Sequence, residues 1–260
     1  DHGCSVTTAP IDIINPSSVQ IDGFSYSDMS CHDTLDGSIT VTASGGTGTP
    51  LYTLMPGGTS NTSGIFTGLG ANTYYVRVED GNGCADSTGM IIILNPDEIL
   101  ITSDTVSPIS CYNLNDGMVG VTAAGGTPPL GYTLLPSGTT NASGEFNGLT
   151  AGTYFIIVED ANGCPSDTSD PLVIINPPEL IIDSTDYEDI TCHDYDNGWV
   201  QVWASGGTGM LTYTINPGGV SNSSGYFNSL AAGTYTVTVS DDMGCSTNAP
   251  DFTIVNPPGV

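Results

Sequence analysis

Three pairs of cysteines in this chain mark out the same interval. Cys31 and Cys84, Cys111 and Cys164, and Cys192 and Cys245 are each 53 positions apart, and corresponding cysteines recur 80 and then 81 residues later. Between them the same landmarks follow in order. An Asp-Gly or Asn-Gly pair (Asp36-Gly37, Asp116-Gly117, Asn197-Gly198) precedes an alternating strand. Then come a Gly pair (Gly45-Gly46, Gly125-Gly126, Gly206-Gly207), a Tyr-Thr pair starting at Tyr52, Tyr132 and Tyr213, and a Phe (Phe66, Phe146, Phe227). A Thr-Tyr pair ending at Tyr74, Tyr154 and Tyr235 and a closing Gly-Cys complete the set. A fixed period of this kind dictates architecture, because each period must be one structural module. The chain therefore divides into repeats at 17–97, 98–178 and 179–260.

Residues 1–16 read as the last strand of a preceding repeat. Asp1-His2-Gly3-Cys4 matches Asp242-Met243-Gly244-Cys245, and Ile13-Ile14-Asn15-Pro16 matches Leu94-Asn95-Pro96, Ile175-Asn176-Pro177 and Val255-Asn256-Pro257. Cys4 is then left unpaired. Either the chain is part of a longer protein, or Cys4 and its strand complete a neighbouring molecule.

Modules of about 80 residues bury limited core and call for a covalent staple. Equal spacing points to the pairings Cys31–Cys84, Cys111–Cys164 and Cys192–Cys245, each stabilising its repeat by roughly 4 kcal/mol. Disulfides place the chain in an oxidising compartment. A zinc site is disfavoured, because no C-x-x-C or second His–Cys pair lies nearby.

The repeats read as all-β. Short alternating strands are separated by Gly, Asn, Asp and Pro clusters every 8–12 residues, the pattern of a sandwich, and no segment has a helical period. Ile39 and Val41, Val119 and Val121, and Val200 and Val202 take inward positions on one strand. Tyr74, Val76 and Val78 do so on a later one, as do Tyr154, Ile156 and Val158 and then Tyr235, Val237 and Val239. The approach to this later strand, Leu69 to Tyr74 and its equivalents, resembles the tyrosine corner of immunoglobulin-like domains. Three tandem immunoglobulin-like β-sandwiches of about seven strands follow, joined by short Pro-stiffened linkers into an elongated, semi-rigid rod.

One basic residue, Arg77, faces 28 acids, for a formal charge of −27. A surface without cations cannot neutralise phosphates, which excludes nucleic acid and anionic lipid as partners. No apolar run reaches the length of a membrane span.

The pattern C…D-G-x-(V/I)-x-V…G-G-T…G-T-Y-x-(V/I)-x-V-x-D-x-x-G-C resembles the SprB-type repeat of Bacteroidota cell-surface proteins, which include long gliding adhesins. Asn72 departs from it, where the other repeats carry Gly152 and Gly233. The resemblance implies an extracellular location on a bacterial cell surface and a role in an adhesin or surface fibre.

Acidic residues gather near both cysteines of each repeat: Asp33, Asp36 and Asp80, Asp116 and Asp160, and Asp194, Asp196 and Asp241. If a disulfide brought the two loops of a repeat together, their oxygens would suit Ca²⁺. The competing reading is that Asp and Asn shape turns. No other cofactor is indicated. Sequons at Asn61, Asn141 and Asn222 recur in place, again in sequences typical of turns. Thr34, Ser87, Thr105 and Ser184 each follow an Asp, in triplets that resemble the O-glycosylation motif of Bacteroidota. On outward strand positions Trp199, Trp203, Met118, Phe155 and Ile157 break the polar pattern. They are candidates for self-association with neighbouring copies, for stacking on a glycan or surface ligand, or for covering a joint.

Enzyme chemistry has little to work with. The histidines are His2, His32 and His193, Lys is absent, and neither a nucleophile elbow nor a phosphate-binding Gly loop is present. Triplication itself argues for a structural role. The reading is a structural repeat segment of a surface fibre or filament, with the passive stalk of a long adhesin as the alternative and a carbohydrate-binding module as a weaker third.

Overall fold

A computed structural model describes residues 3–13, 15–166 and 168–259. Asp1, His2 and Ile14 of the leading piece lie outside them. Among the described residues every regular element is a β-strand. The chain forms two compact units. One is Asp1–Ile99 with Gly125–Leu130 and Glu159–Pro165; the other is Leu100–Ala124 with Gly131–Val158 and Ser166–Val260.

In the first unit the strands are β1 (Gln20–Ser27), β2 (Gly37–Ser44), β3 (Leu51–Met55), β4 (Thr59–Asn61), β5 (Ile65–Leu69), β6 (Asn72–Glu79), β7 (Ala85–Ser87) and β8 (Ile91–Ile93). They form two antiparallel sheets, β1-β2-β5 and β4-β3-β6, with both β7 and β8 on β6. Side chains alternate across a strand, so one face of each sheet can supply the core. Ile39 and Val41 of β2 and Val76 and Val78 of β6 are almost fully buried, with Tyr52, Leu54, Phe66, Tyr74, Ile91 and Ile93 around them. Each such side chain contributes roughly 1.5–3 kcal/mol by leaving water.

β4 joins β3, whereas in constant immunoglobulin domains the fourth strand joins the first sheet. Only Pro56, Gly57 and Gly58 separate β3 from β4. A connection that short makes a hairpin and cannot cross the roughly 10 Å between sheets. The last strand is broken in two at Thr88. Its amide donates to the Val76 carbonyl (2.9 Å) and its hydroxyl accepts the Val76 amide (2.9 Å), so a side chain replaces one rung of the ladder. The tyrosine corner is present in all three repeats. Tyr74, Tyr154 and Tyr235 donate their hydroxyls to the carbonyls of Gly70, Thr150 and Ala231 at 3.0–3.1 Å.

The second unit repeats this plan. Glu145–Leu149, Gly117–Ala124 and Leu100–Ser107 form one sheet, and Thr139–Asn141, Gly131–Leu135, Gly152–Glu159 and Leu172–Ile174 the other. Ile181–Glu188, Gly198–Ser205 and Tyr226–Leu230 form the next, facing a sheet built on Thr212–Asn216 and Gly233–Ser240. Val200, Val202, Val237 and Val239 are fully buried in that sandwich.

Residues 3–13 form no strand. Ile11 and Ile13 are 84% and 95% exposed, whereas Ile91 and Ile93, their counterparts 80 positions on, are 1% exposed. A strand needs a sheet to pair with and a facing layer to bury its inward side chains, and none of the described strands pairs with residues 3–13.

The two ends of a sandwich are built differently, and this positions the cysteines. At one end the arriving chain meets the loops after β2 and β6. Gly46 N donates to Ser17 O (3.0 Å), Thr47 N to Asp80 Oδ2 (2.9 Å) and Gly81 N to Thr47 O (2.7 Å). At the other end the loop between β1 and β2 grips the departing chain. Leu94 N donates to Asp28 Oδ1 (2.8 Å), Asp33 N to Asn95 Oδ1 (3.0 Å) and His32 Nδ1 to Pro96 O (2.8 Å). Cys84 belongs to the first end and Cys31 to the second.

Candidate functional site

The disulfides join consecutive repeats. Cys31 pairs with Cys164 and Cys111 with Cys245, each at a Cα separation of 5.6 Å. The pairings expected from equal spacing, Cys31–Cys84, Cys111–Cys164 and Cys192–Cys245, do not form. The reason is geometric. An eight-residue strand spans about 26 Å, and the two cysteines of one repeat sit at opposite ends of such strands, far beyond the reach of a disulfide. Cys84 and Cys192 are therefore free and exposed, and so is Cys4, which was expected to be unpaired.

Each joint is made from two loops of fixed design. The loop carrying the first cysteine turns through a residue of positive φ: Asp33 (54°), Asn113 (60°) and Asp194 (58°). Asn and Asp tolerate this region better than other side-chain-bearing residues. The amides of these three residues donate to Asn95, Asn176 and Asn256, one residue before the linker proline, at 3.0–3.1 Å. Asp36, Asp116 and Asn197 accept the amides of Ser30, Ser110 and Thr191. The side-chain and backbone hydrogen bonds from Ser30, with that of Thr34, hold the Asp36 carboxyl below the usual carboxylate range.

In the loop carrying the second cysteine the organiser is Asp80, Asp160 or Asp241. Each is buried and accepts the amide of its cysteine at 2.9 Å through Oδ1. Oδ2 takes Thr47, Thr127 or Thr208 N from the Gly-Gly-Thr loop at 2.7–2.9 Å. The amides of Thr47, Cys84, Asn82 and Gly83 hold the Asp80 carboxyl below the usual carboxylate range. For Asp160 burial pushes upward, yet the amides of Thr127, Cys164, Asn162 and Gly163 outweigh it.

Across the first joint Asn162 Nδ2 donates to Ser30 O at 2.9 Å, and Cys164 Sγ lies 3.3 Å from the same oxygen. At the second, Cys245 Sγ lies 3.3 Å from Ser110 O. The organising roles of Asn95, Asn176, Asn256 and Asn162 were not anticipated. Their only signal was the Asn-Pro that closes every repeat and the D-x-x-G-C that precedes every second cysteine.

The remaining site candidates fall as follows. The two acidic loops of the first repeat lie at opposite ends, so Asp36 and Asp80 do not meet. Among the described residues no three His, Cys, Asp or Glu side chains are grouped to hold a metal ion. Asp33 and Asp194 accept from Asn95 and Asn256 Nδ2 (2.9 and 3.0 Å), while Asp196 is exposed. Asn61, Asn141 and Asn222 close the turn into the next strand. Each donates Nδ2 to Ile65, Glu145 or Tyr226 O and accepts two backbone amides. The Thr34 hydroxyl donates to Cys31 O and Asp36, while Ser87, Thr105 and Ser184 are exposed. Trp199 is half-buried, donating Nε1 to Glu188 Oε2 (2.8 Å) with its ring 5.9 Å from that of Tyr226. Met118, Phe155 and Ile157 are likewise partly covered, and Trp203 is 47% exposed. His32 and His193 both donate Nδ1 to a linker-proline carbonyl rather than serving a nucleophile.

The SprB repeat family matches residues 23–59 and 103–139, which bears out the resemblance at those two segments. No curated protein matches the chain. Among solved structures the chain is similar to Sidekick-1 immunoglobulin domains 1–5 (14% identity, TM-score 0.39), with 93% of this chain and 59% of that one covered. It is also similar to domains 1–6 of the surface layer protein SbsC (14%, TM-score 0.29; 95% and 41% covered). A third is chicken CNTN1 FN1–FN3 domains (12%, TM-score 0.30; 94% and 99% covered). This chain thus spans little more than half of the Sidekick-1 structure. The chain thus carries SprB-type repeat segments within tandem all-β sandwiches.

Proposed function

We propose that this chain is a structural segment of an extracellular bacterial surface fibre, in which cross-links between consecutive sandwiches carry tension around their cores. The observation that carries this reading is the overlap of the two disulfides. Cys111 lies inside the interval closed by Cys31–Cys164, and Cys164 lies inside the one closed by Cys111–Cys245. A disulfide that stapled each sandwich to itself would leave every linker as a single strand of backbone. Here the linker 94–98 is doubled by Cys31–Cys164, and the linker 175–179 by Cys111–Cys245.

The mechanical consequence follows from covalent connectivity alone. When the chain is pulled from its ends, the shortest covalent path crosses from Cys31 to Cys164, returns along the backbone to Cys111 and crosses to Cys245, so that the stretches 31–111 and 164–245 both drop out. The family match supports a surface repeat, and the disulfides support an oxidising environment. The acid-rich surface keeps nucleic acid and anionic lipid away. The role is mechanical and not catalytic.

Single-molecule stretching of the chain, tethered at its two ends, tests the reading. Without reductant, full extension is expected to stop about 540 Å short of the value reached after reduction, at roughly 3.4 Å per bypassed residue. Equal contour lengths with and without reductant would overturn it.

A further inference from the structure

We infer that Cys84 and Cys192 are the two open halves of the same joint, and that each takes a disulfide from a further repeat of this kind. This deepens the fibre reading and rests on its disulfide assignment. Both loops hold the geometry of their cross-linked counterparts although neither has a partner here. In the Cys84 loop Asp80 N donates to Cys84 O at 2.9 Å and Cys84 N to Asp80 Oδ1 at 2.9 Å. The cross-linked Cys164 and Cys245 loops show the same two bonds, at 3.1 and 2.9 Å and at 3.0 and 2.9 Å. Asn82 occupies the place of Asn162, the residue that donates across the first joint.

On the other side, the Cys192 loop turns at Asp194 (φ 58°), as the Cys31 loop turns at Asp33 and the Cys111 loop at Asn113. Asp194 N donates to Asn256 Oδ1 (3.1 Å), Thr191 N to Asn197 Oδ1 (3.1 Å) and His193 Nδ1 to Pro257 O (2.7 Å). These bonds reproduce those around Cys31. The sulfurs differ in what covers them: Cys164 is buried at its joint, whereas Cys84 and Cys192 are exposed. Two loops, each preset for one partner, present complementary halves of a contact made twice within this same chain. The partner is therefore a repeat of the same class, and a second copy of the chain offers both halves.

The chemistry balances through thiol–disulfide exchange with a disulfide oxidant. The Cys192 thiolate attacks oxidised glutathione and releases one reduced glutathione. The Cys84 thiolate of another copy then attacks the Cys192 sulfur and expels the second. Two thiols lose two electrons and two protons, and the oxidant becomes two thiols. One Cys84–Cys192 disulfide joins each copy to the next, and within a copy the bridges define two separate covalent lines. One runs from Cys84 along the backbone to Cys111 and across to Cys245; the other crosses from Cys31 to Cys164 and runs on to Cys192. A single backbone break leaves one line whole.

The experiment is oxidation of the full chain, carrying Cys4→Ser to remove the third exposed thiol, in oxidised and reduced glutathione. Non-reducing electrophoresis should show a ladder of multimers, and mass spectrometry should place Cys84–Cys192 peptides between copies. Cys84→Ser or Cys192→Ser should abolish the ladder, and Asn82→Ala should slow it severalfold with folding unchanged. A chain that stays monomeric, a ladder dominated by Cys84–Cys84 or Cys192–Cys192 links, or one that survives Cys192→Ser would overturn the inference. The same digest reports Cys31–Cys164 and Cys111–Cys245. Their absence would instead overturn the fibre reading beneath it.

Discussion

Asp160 and Cys164 are bound to each other twice. Asp160 N donates to the Cys164 carbonyl at 3.1 Å, and Cys164 N donates back to Asp160 Oδ1 at 2.9 Å. The second carboxylate oxygen takes Thr127 N at 2.8 Å, which ties the cysteine loop to the Gly-Gly-Thr loop. One buried carboxylate thus aims the sulfur that reaches the preceding repeat.

Asp160→Ala should therefore loosen the first joint more than it disturbs the sandwich core. The expected outcome is slower recovery of the Cys31–Cys164 disulfide after reduction, followed by peptide mapping. The melting temperature should drop by roughly 5 °C, the shift expected from about one net hydrogen bond in a domain of this size. Asp160→Asn keeps one acceptor oxygen and should recover faster than the alanine variant.

Acid should weaken the fold through these same carboxylates. Asp36, Asp80, Asp116 and Asp160 all have folded-state pKa values below the ordinary 3.8. The unfolded chain then binds more protons in that range, so stability rises with pH there. The contribution is complete above the unfolded value and is lost as pH falls through the lowered one. Repulsion among the many acids acts in the opposite direction, so the melting temperature should be followed in about 0.5 M salt, where the Debye length is only a few ångströms. For these carboxylates alone a plateau above about pH 5 and a fall below about pH 4 are expected.

His32 carries the opposite sign. The hydrogen bond to the Pro96 carbonyl, helped by neighbouring Asp33, Glu98 and Asp97, raises its pKa above 6.5. Its stabilising contribution is complete below the unfolded value and disappears as pH rises through the folded one. Between pH 6 and 8 the melting temperature should fall slightly, and His32→Gln should flatten that slope.

Gly117→Ala should destabilise the second repeat although φ there is ordinary. A Cβ at Gly117 would lie 2.9 Å from the Leu149 carbonyl and 3.0 Å from two carbons of Ile174. Gly37 and Gly198 face the same obstruction from Leu69 and Ile93 and from Leu230 and Ile254. Overpacking of this kind costs about 2 kcal/mol. Calorimetry should show one early transition for each substituted repeat.

The two tryptophans should separate structure from surface. Trp199→Ala removes the bond to Glu188 and the contact with Tyr226, and should lower the melting temperature. Trp203→Ser, at a half-exposed position opposite Ser184, should leave it within about 2 °C, as surface substitutions usually do. Loss of retention on a glycan column in Trp203→Ser alone would establish ring stacking, and unchanged retention would remove the carbohydrate-binding reading.

The amino-acid sequence determined the module and most of its interior. Period-two alternation placed Ile39, Val41, Val76 and Val78 inward, and they are buried at 0–1% exposure. The approach to Tyr74 announced the tyrosine corner, because that bond spans only four residues. Such features depend on neighbours a few positions away, which spacing encodes directly. The pairing of the cysteines depends on something else: which end of a sandwich each loop leaves from. Equal spacing is satisfied as well by Cys31–Cys84 as by Cys31–Cys164, since a period repeats both. Only the tertiary structure distinguishes them, by setting Cys31 beside the departing chain and Cys84 beside the arriving one, a strand's length apart. The acidic loops followed the cysteines. Asp36 and Asp80, close to the two cysteines of one repeat in sequence, are kept apart by the same strands, and each takes backbone amides.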